Sequence, residues 1–346
     1  MSNCLLTFRC KVPSATLFKY LKDIGDGSIA KETPDCSVTK YIHDPTKHLI
    51  STTDFFYPLV EDPYMQGRIA CCNTLSDIYA MGIDRVDHML MILGVSLTMQ
   101  EEHREIVTRE MIRGFNDCAV EAKTMVTGGQ SIMNPWPIIG GVANVVCHED
   151  EYILPRRGKD GDVIILTKPL GTQVSVNVNE WKVKNNERWE QSKKYITDEE
   201  AIKAYYLSME SMATLNINAA KLMKKYNSHG ATDITGFGIL GHAQNLATAQ
   251  YDDVDITIHS LPIINKMELI NNNILNFKLL QGYSAETSGG LFLMLEKSKV
   301  KDYMRELKEV YGQESWEVGQ VTKGSKKASI REDVQVINVK ESFLQD

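Results

Sequence analysis

No two cysteines in this chain stand in a CxxC arrangement, and Cys4, Cys10, Cys36, Cys71, Cys72, Cys118 and Cys147 are odd in number. That argues against a disulfide framework and a zinc ribbon, and for a reducing compartment. No apolar run reaches the ~18–20 residues that a bilayer span needs. The opening MSNCLLTFRCKVP has too short an apolar part for a secretory signal, so a cytoplasmic protein is expected. The GxxxxGK(S/T) spacing is absent, which sets aside P-loop kinases and ATPases. HExxH and GxSxG are absent as well, which leaves zincin-type metalloproteases and lipase-like hydrolases without support. Positive charge is scarce. The formal net charge is −7, and the basic clusters Lys221–Lys225 and Lys323–Lys327 are small. No general nucleic-acid surface is expected, and these lysines read as solvated faces.

What is present is ordinary for a soluble globular protein, with 43% apolar and 24% charged residues. The 346 residues suffice for two domains. Residues 48–54 and 87–96 read as strands, 63–81 as a helix, and Glu101–Thr124 as a long amphipathic helix. Ala15–Asp23 is a further helix candidate, and Pro137–Cys147 a strand with a Gly-Gly break. The charged stretch Glu149–Asp162 marks the best boundary. We expect an arm over 1–47, a domain over 48–155 and a second over 156–346. Beyond the boundary we expect a strand Val163–Thr167, a long helix Asp198–Tyr226, a helix Gly238–Ala249, and strands Val254–His259 and Gly290–Leu295. Alternating strands and helices in both halves place the fold in the α/β or α+β class.

The stretch Ser51–Gly82 carries two acids, Asp54 and Asp77, each following a hydroxyl residue. Asp54 ends a β-like run and Asp77 lies in a helix-like one. Carboxylates on packed elements hold Mg²⁺ against nucleotide phosphates, so phosphoryl transfer is the first hypothesis. Asp233 likewise follows Thr232, and Asp35 stands close to Thr33 and Ser37, although an Asp near Thr or Ser also serves as a cap or turn residue. Gly236–Gly241 spells GxGxxG, but the preceding HGATDIT is not an apolar strand. We read it as an acid-bearing turn into a helix, not a dinucleotide site. The glycine-rich turn Thr127-Gly128-Gly129-Gln130-Ser131 reads either as a helix C-cap or as amides lining a phosphate. Thr287-Ser288-Gly289-Gly290 reads as a strand-entry turn, and Lys11 as a solvated residue near a terminus.

STTDFFYPLVEDPYMQGRIACCNTLSDIYAMG (51–82) closely resembles the selenophosphate synthetase (selenide, water dikinase) family. So do VTGGQSIMNPWPIIGGVA (126–143), LTKPLGTQV (166–174), ATDITGFGILGHAQNLA (231–247) and ETSGGLF (286–292), and the NPWPIIGG and TKPLGTQV wording is closer to eukaryotic members. The resemblance implies a two-domain ATP-binding fold like that of aminoimidazole ribonucleotide synthetase. Its N-terminal half would form a β-barrel across a homodimer. The implied reaction converts ATP, selenide and water to selenophosphate, AMP and phosphate. On this resemblance Asp35, Asp77 and Asp233 hold Mg²⁺, and Asp54 contacts ATP and its metal. Gly128, Gly129, Gln130 and Ser131 form the nucleotide-contacting turn. Thr33 and Pro34 join the nucleotide site, and Lys11 reaches the phosphates as the catalytic cation. No nucleic acid is implied as a partner.

The chain departs from the family at its N-terminus. Active members carry a glycine-rich loop ending in Cys or selenocysteine, then Gly, then Cys-Lys. Here the text is Thr7-Phe8-Arg9-Cys10-Lys11, so Phe8 stands at the nucleophile position and Arg9 at the glycine. Phenylalanine offers no nucleophile. Three expectations follow: an ATP-handling paralogue without selenide chemistry, a mis-assigned start, or substitution of the nucleophile by Cys4 or Cys10.

Overall fold

The computed structural model describes residues 35–344. The first half runs β1 (Ser37–Lys40), β2 (Lys47–Phe56), α1 (Pro63–Ala80), β3 (His88–Ser96), α2 (Glu101–Glu121), β4 (Val126–Asn134) and β5 (Ile138–His148). Its strands form one sheet in the order β1-β2-β5-β3-β4. All neighbours pair antiparallel except β3 and β4, whose parallel pairing needs the crossover that α2 provides.

The second half runs β6 (Asp162–Leu166), α3 (Thr172–Val183), α4 (Glu187–Ser192), α5 (Asp198–Ala213), α6 (Ile217–Lys225) and β7 (Gly230–Asp233). It continues through α7 (Gly238–Thr248), β8 (Val254–Ile264), α8 (Met267–Asn273), β9 (Leu291–Glu296), α9 (Val300–Tyr311), β10 (Trp316–Lys323) and β11 (Ala328–Val339). These strands form a sheet in the order β11-β8-β10-β6-β9-β7, with only β8 and β11 parallel.

Helix α1 starts where the sequence says it should. Pro63 fills the first helical position, and the Asp62 side chain accepts the amides of Tyr64 (2.8 Å) and Met65 (3.1 Å). The helix is buried nearly all round because it lies between the first sheet, α2 and the second half. Its crossing with α2 is very close. A β-carbon on Gly67 would stand 2.0 Å from the Met111 carbonyl oxygen, and one on Gly114 would stand 1.9 Å from that of Tyr64. Two glycines facing opposite backbones let the helices touch.

Three expectations are corrected. The glycine-rich segment at 127–131 is not a turn but part of edge strand β4, parallel to β3. Gly-Ala-Thr-Asp at 230–233 is not a turn either. It forms β7, fully buried and paired with β9, so its small residues fit under the neighbouring helices. That strand precedes α7, yet its antiparallel pairing keeps Gly236–Gly241 out of a parallel dinucleotide-binding unit. The expected long helix Asp198–Tyr226 is broken at Thr214, whose backbone is extended. Its carbonyl, which a continuing helix would direct to an amide four residues on, accepts instead from Lys168 Nζ at 2.6 Å. The helix candidate Ala15–Asp23 lies outside the described residues.

Candidate functional site

Three chain segments converge where the two halves meet. Asp35 lies just before β1, Asp77 near the C-terminal end of α1, and Asp233 at the end of β7. One carboxylate oxygen from each lies within 4.8 Å of the others. Asp35 is exposed, Asp77 half-buried and Asp233 buried, so the cluster opens to solvent on one side. The second half helps to hold Asp35, while Asp77 is held from within the first half. Thr232 Oγ1 donates to Asp35 Oδ2 at 2.8 Å, and Thr52 Oγ1 from β2 donates to Asp77 Oδ2 at 2.5 Å.

The electrostatics are strained. Burial raises the Asp77 carboxyl well above the usual carboxylate range, and the charges of Asp233 and Asp35 push it further; the Thr52 hydrogen bond opposes them. The Cys36 thiol is likewise raised, by burial and then by Asp77, Asp35 and Asp233. Three acids this close are stable together when a cation lies among them or when one stays protonated.

Asp54 faces the same interior from β2, within electrostatic range of Asp77. Its Oδ2 accepts from Asn73 Nδ2 on α1, and Asn73 Oδ1 accepts the Ser288 amide at 2.6 Å. His242 of α7 lies beside Thr232, the residue that donates to Asp35. The Thr235 amide donates to its Nε2 at 3.1 Å, so a neutral ring carries its proton on Nδ1, 3.4 Å from Thr232 Oγ1.

Four residues of this region escaped the sequence reading: Asn73, Lys168, Glu286 and His242. Asn73 carried a visible signal, a polar residue in the packed run Ala70–Leu75. Lys168 and Glu286 are buried side chains of loops, which sequence periodicity does not reveal. Glu286 accepts the amides of Gly171 (2.7 Å) and Thr172 (3.0 Å) at the start of α3, and burial pushes its carboxyl up to about 7.

The remaining expected residues are not part of the acid cluster. Gly128, Gly129, Gln130 and Ser131 are exposed along β4. Lys11, Thr33, Pro34 and Phe8 lie outside the described residues. No helix among the described residues is long and apolar enough to cross a membrane.

Comparison with known proteins fits this layout. Residues 33–146 match the family model "AIR synthase related protein, N-terminal domain", and residues 159–331 match its C-terminal counterpart. The fold resembles a thiamine monophosphate kinase from Aquifex aeolicus (TM-score 0.65, 17% identity, 96% of this chain and 100% of that one). It also resembles the hydrogenase maturation protein HypE solved in complex with ATP (TM-score 0.61, 13% identity, 92% of this chain and 91% of that one). Sequence relatives are much nearer. Selenide, water dikinase 2 of Homo sapiens is 54% identical over 85% of this chain and 67% of its own length. Selenide, water dikinase of Dictyostelium discoideum is 47% identical over 90% and 84%. Selenide, water dikinase 3 of Danio rerio is 46% identical over 95% and 83%. The chain therefore belongs to the selenide, water dikinase family, built on the two-part fold of the AIR synthase related proteins.

Proposed function

We propose that this chain makes selenophosphate from selenide, ATP and water, releasing AMP and phosphate. The observation that carries the reading is the convergence of Asp35, Asp77 and Asp233, oxygens within 4.8 Å, at the meeting of the two halves. An all-carboxylate donor set with an open side suits Mg²⁺, which prefers hard oxygen ligands and keeps room for water and phosphate. The upward push on Asp77 by its two acidic neighbours fits as well, because a cation would reverse it. When bound, Mg²⁺ supplies charge stabilisation to the phosphates in transfer. Asp35, Asp77 and Asp233 would hold it, and Asp54 would contact ATP and its metal. Gly128–Ser131 would offer backbone amides to the nucleotide. Thr33 and Pro34 would complete the nucleotide site, and Lys11 would bring a cation to the phosphates.

We further propose a homodimer. The face of the first sheet opposite α1 and α2 carries Leu49, Leu90, Ile92, Ile138, Val142 and Val146 only half-buried, and Phe55 exposed. Such a face suits a second copy of the sheet. A cytoplasmic setting suits the five described cysteines, all unbridged even though the sulfurs of Cys72 and Cys118 stand 3.4 Å apart.

Phe8 at the nucleophile position favours a second reading, an ATP-hydrolysing paralogue without selenide chemistry and with a regulatory or interaction role. One experiment separates the two. Purified protein is incubated anaerobically with Mg-ATP, with and without selenide, and the products are followed by phosphorus NMR. Selenophosphate with AMP supports synthesis, AMP alone supports the paralogue, and no nucleotide turnover overturns both.

A further inference from the structure

Lys168, in the loop after β6, is a wholly buried cation with no carboxylate at ion-pair distance among the described residues. Burial pulls its ammonium down to about 8. A buried lysine is unfavourable unless something uses its protons, and an apolar chain of like volume would fill the space without desolvation. Its partners are two backbone carbonyls: Thr214 at 2.6 Å and Ser288 at 2.7 Å, with the Ser288 hydroxyl at 3.5 Å.

Both carbonyls belong to irregular backbone. Thr214 is the break between α5 and α6, and Ser288 holds a left-handed conformation (φ 47°) that a non-glycine residue adopts at some expense. That conformation belongs to a turn wedged against its neighbours, for a β-carbon on Gly289 would lie 2.1 Å from the Ile234 carbonyl oxygen. The same turn aims the Ser288 amide at Asn73 Oδ1 (2.6 Å), and Asn73 donates to Asp54. A second strut runs alongside. Asn216, two residues past the break, donates to the Gly289 carbonyl (2.8 Å) and to Ser76 Oγ (3.0 Å), next to Asp77.

We infer that Lys168 is a positioning residue for the ATP–metal site, fixing the Ser288 turn so that Asn73 holds Asp54 in place. The inference rests on the reading of Asp54 as a contact of ATP and its metal. Lys168 touches no acid of the site. It ties together two irregular segments of the second half, Thr214 and the Ser288 turn, and the turn's own amide reaches across to Asn73 of α1.

The test uses the full chain and a non-hydrolysable ATP analogue with Mg²⁺, measured by calorimetry, together with steady-state kinetics. Lys168→Met should weaken analogue affinity and raise the KM for ATP ~10-fold, the usual scale for residues supporting a metal ligand, while kcat stays within about twofold. The loss should largely disappear in an Asn73→Ala background, because both changes interrupt one chain of contacts. Unchanged affinity in Lys168→Met, or losses that multiply in the double variant, overturns the inference. Because Lys168→Met leaves two carbonyls unsatisfied and could fail to fold, amide exchange at Ser288 is measured in the unaltered protein. Slowing by Mg²⁺ with the analogue supports the inference, and no change overturns it. If the unaltered protein binds no Mg²⁺–nucleotide, the proposed function falls together with this inference. If it binds and Lys168→Met binds equally well, only this inference falls.

Discussion

The two sheets solve the same burial problem differently. In the second half, alternate residues of the central strands enter different cores. Val163, Ile165, Leu291, Leu293 and Leu295 pack with Leu222, Met223, Tyr303 and Leu307, while Ile164, Leu166, Phe292 and Met294 pack with Leu246, Ile256 and Val318. Strands buried on both faces read as continuous apolar runs, and these do. In the first half only one face is covered. Ile50, Ala143, Val145 and Cys147 pack under α1 and α2, whereas the opposite face stays partly open. The second half is finished by its own helices, while the first offers a surface. The acid cluster draws on both, with Asp77 on a helix of the open-faced half and Asp233 on a strand of the closed one.

That contrast can be broken at several points. Asp77→Ala should lower ATP turnover by on the order of 10³-fold, as removal of a group that stabilises transferring charge does. Its melting temperature should hold or rise, because a repelled buried carboxyl is removed. A large fall in melting temperature would show that the acid serves the fold. Phe292→Ala, in the doubly covered sheet, should cost about 3–5 kcal/mol in urea unfolding. A loss below about 1 kcal/mol would mean that the second core is loosely packed.

Glu286 sharpens the comparison through pH. Its folded carboxyl is raised to about 7 from an ordinary 4.5, so the folded state binds more protons between those values. Its contribution to stability is present below pH 4.5 and is lost as pH rises through about 7, by roughly 3 kcal/mol. Glu286→Gln should lack that slope, and stability curves that run parallel from pH 5 to 7 would contradict it. The smallest effect belongs to the open face. Phe55→Ala should change the stability of the isolated chain by less than about 0.5 kcal/mol. It should nevertheless weaken self-association in sedimentation, and an unchanged dimer would move the interface elsewhere.

Much of this was legible in the sequence because packing leaves periodic traces. Helix α1 announced itself through the run at 63–81, and α2 and the strands β2, β3, β5, β6, β8 and β9 through their patterns. The mixed α/β class followed from the alternation. What failed had physical causes. β7 is too short and too small-chained to show a pattern, and β4 is so exposed that its glycines looked like a turn. The carbonyl freed by the break at Thr214 is taken up by Lys168, 46 residues earlier in the chain, a partner that no local window contains. The acids were visible one by one. Their meeting was not, because nothing in spacing links Asp35 to a residue 198 positions away, and Asn73 and His242 act only through partners brought near by the fold.

The Thr232–Asp35 hydrogen bond, spanning 197 positions, has a consequence for synthesis on the ribosome. Asp77 emerges long before Asp233, and at ordinary elongation rates the interval of 233 − 77 = 156 residues lasts roughly 10–30 s. During that time the first half can fold and cover one face of its sheet, but the nascent chain lacks Asp233, the third acid of the cluster. The cluster is among the last features to form, since closing so long a loop must await the elements that reward it. A chain cut short before Asp233 would therefore lack one acid of the proposed metal site, and ATP turnover would require synthesis to pass that residue.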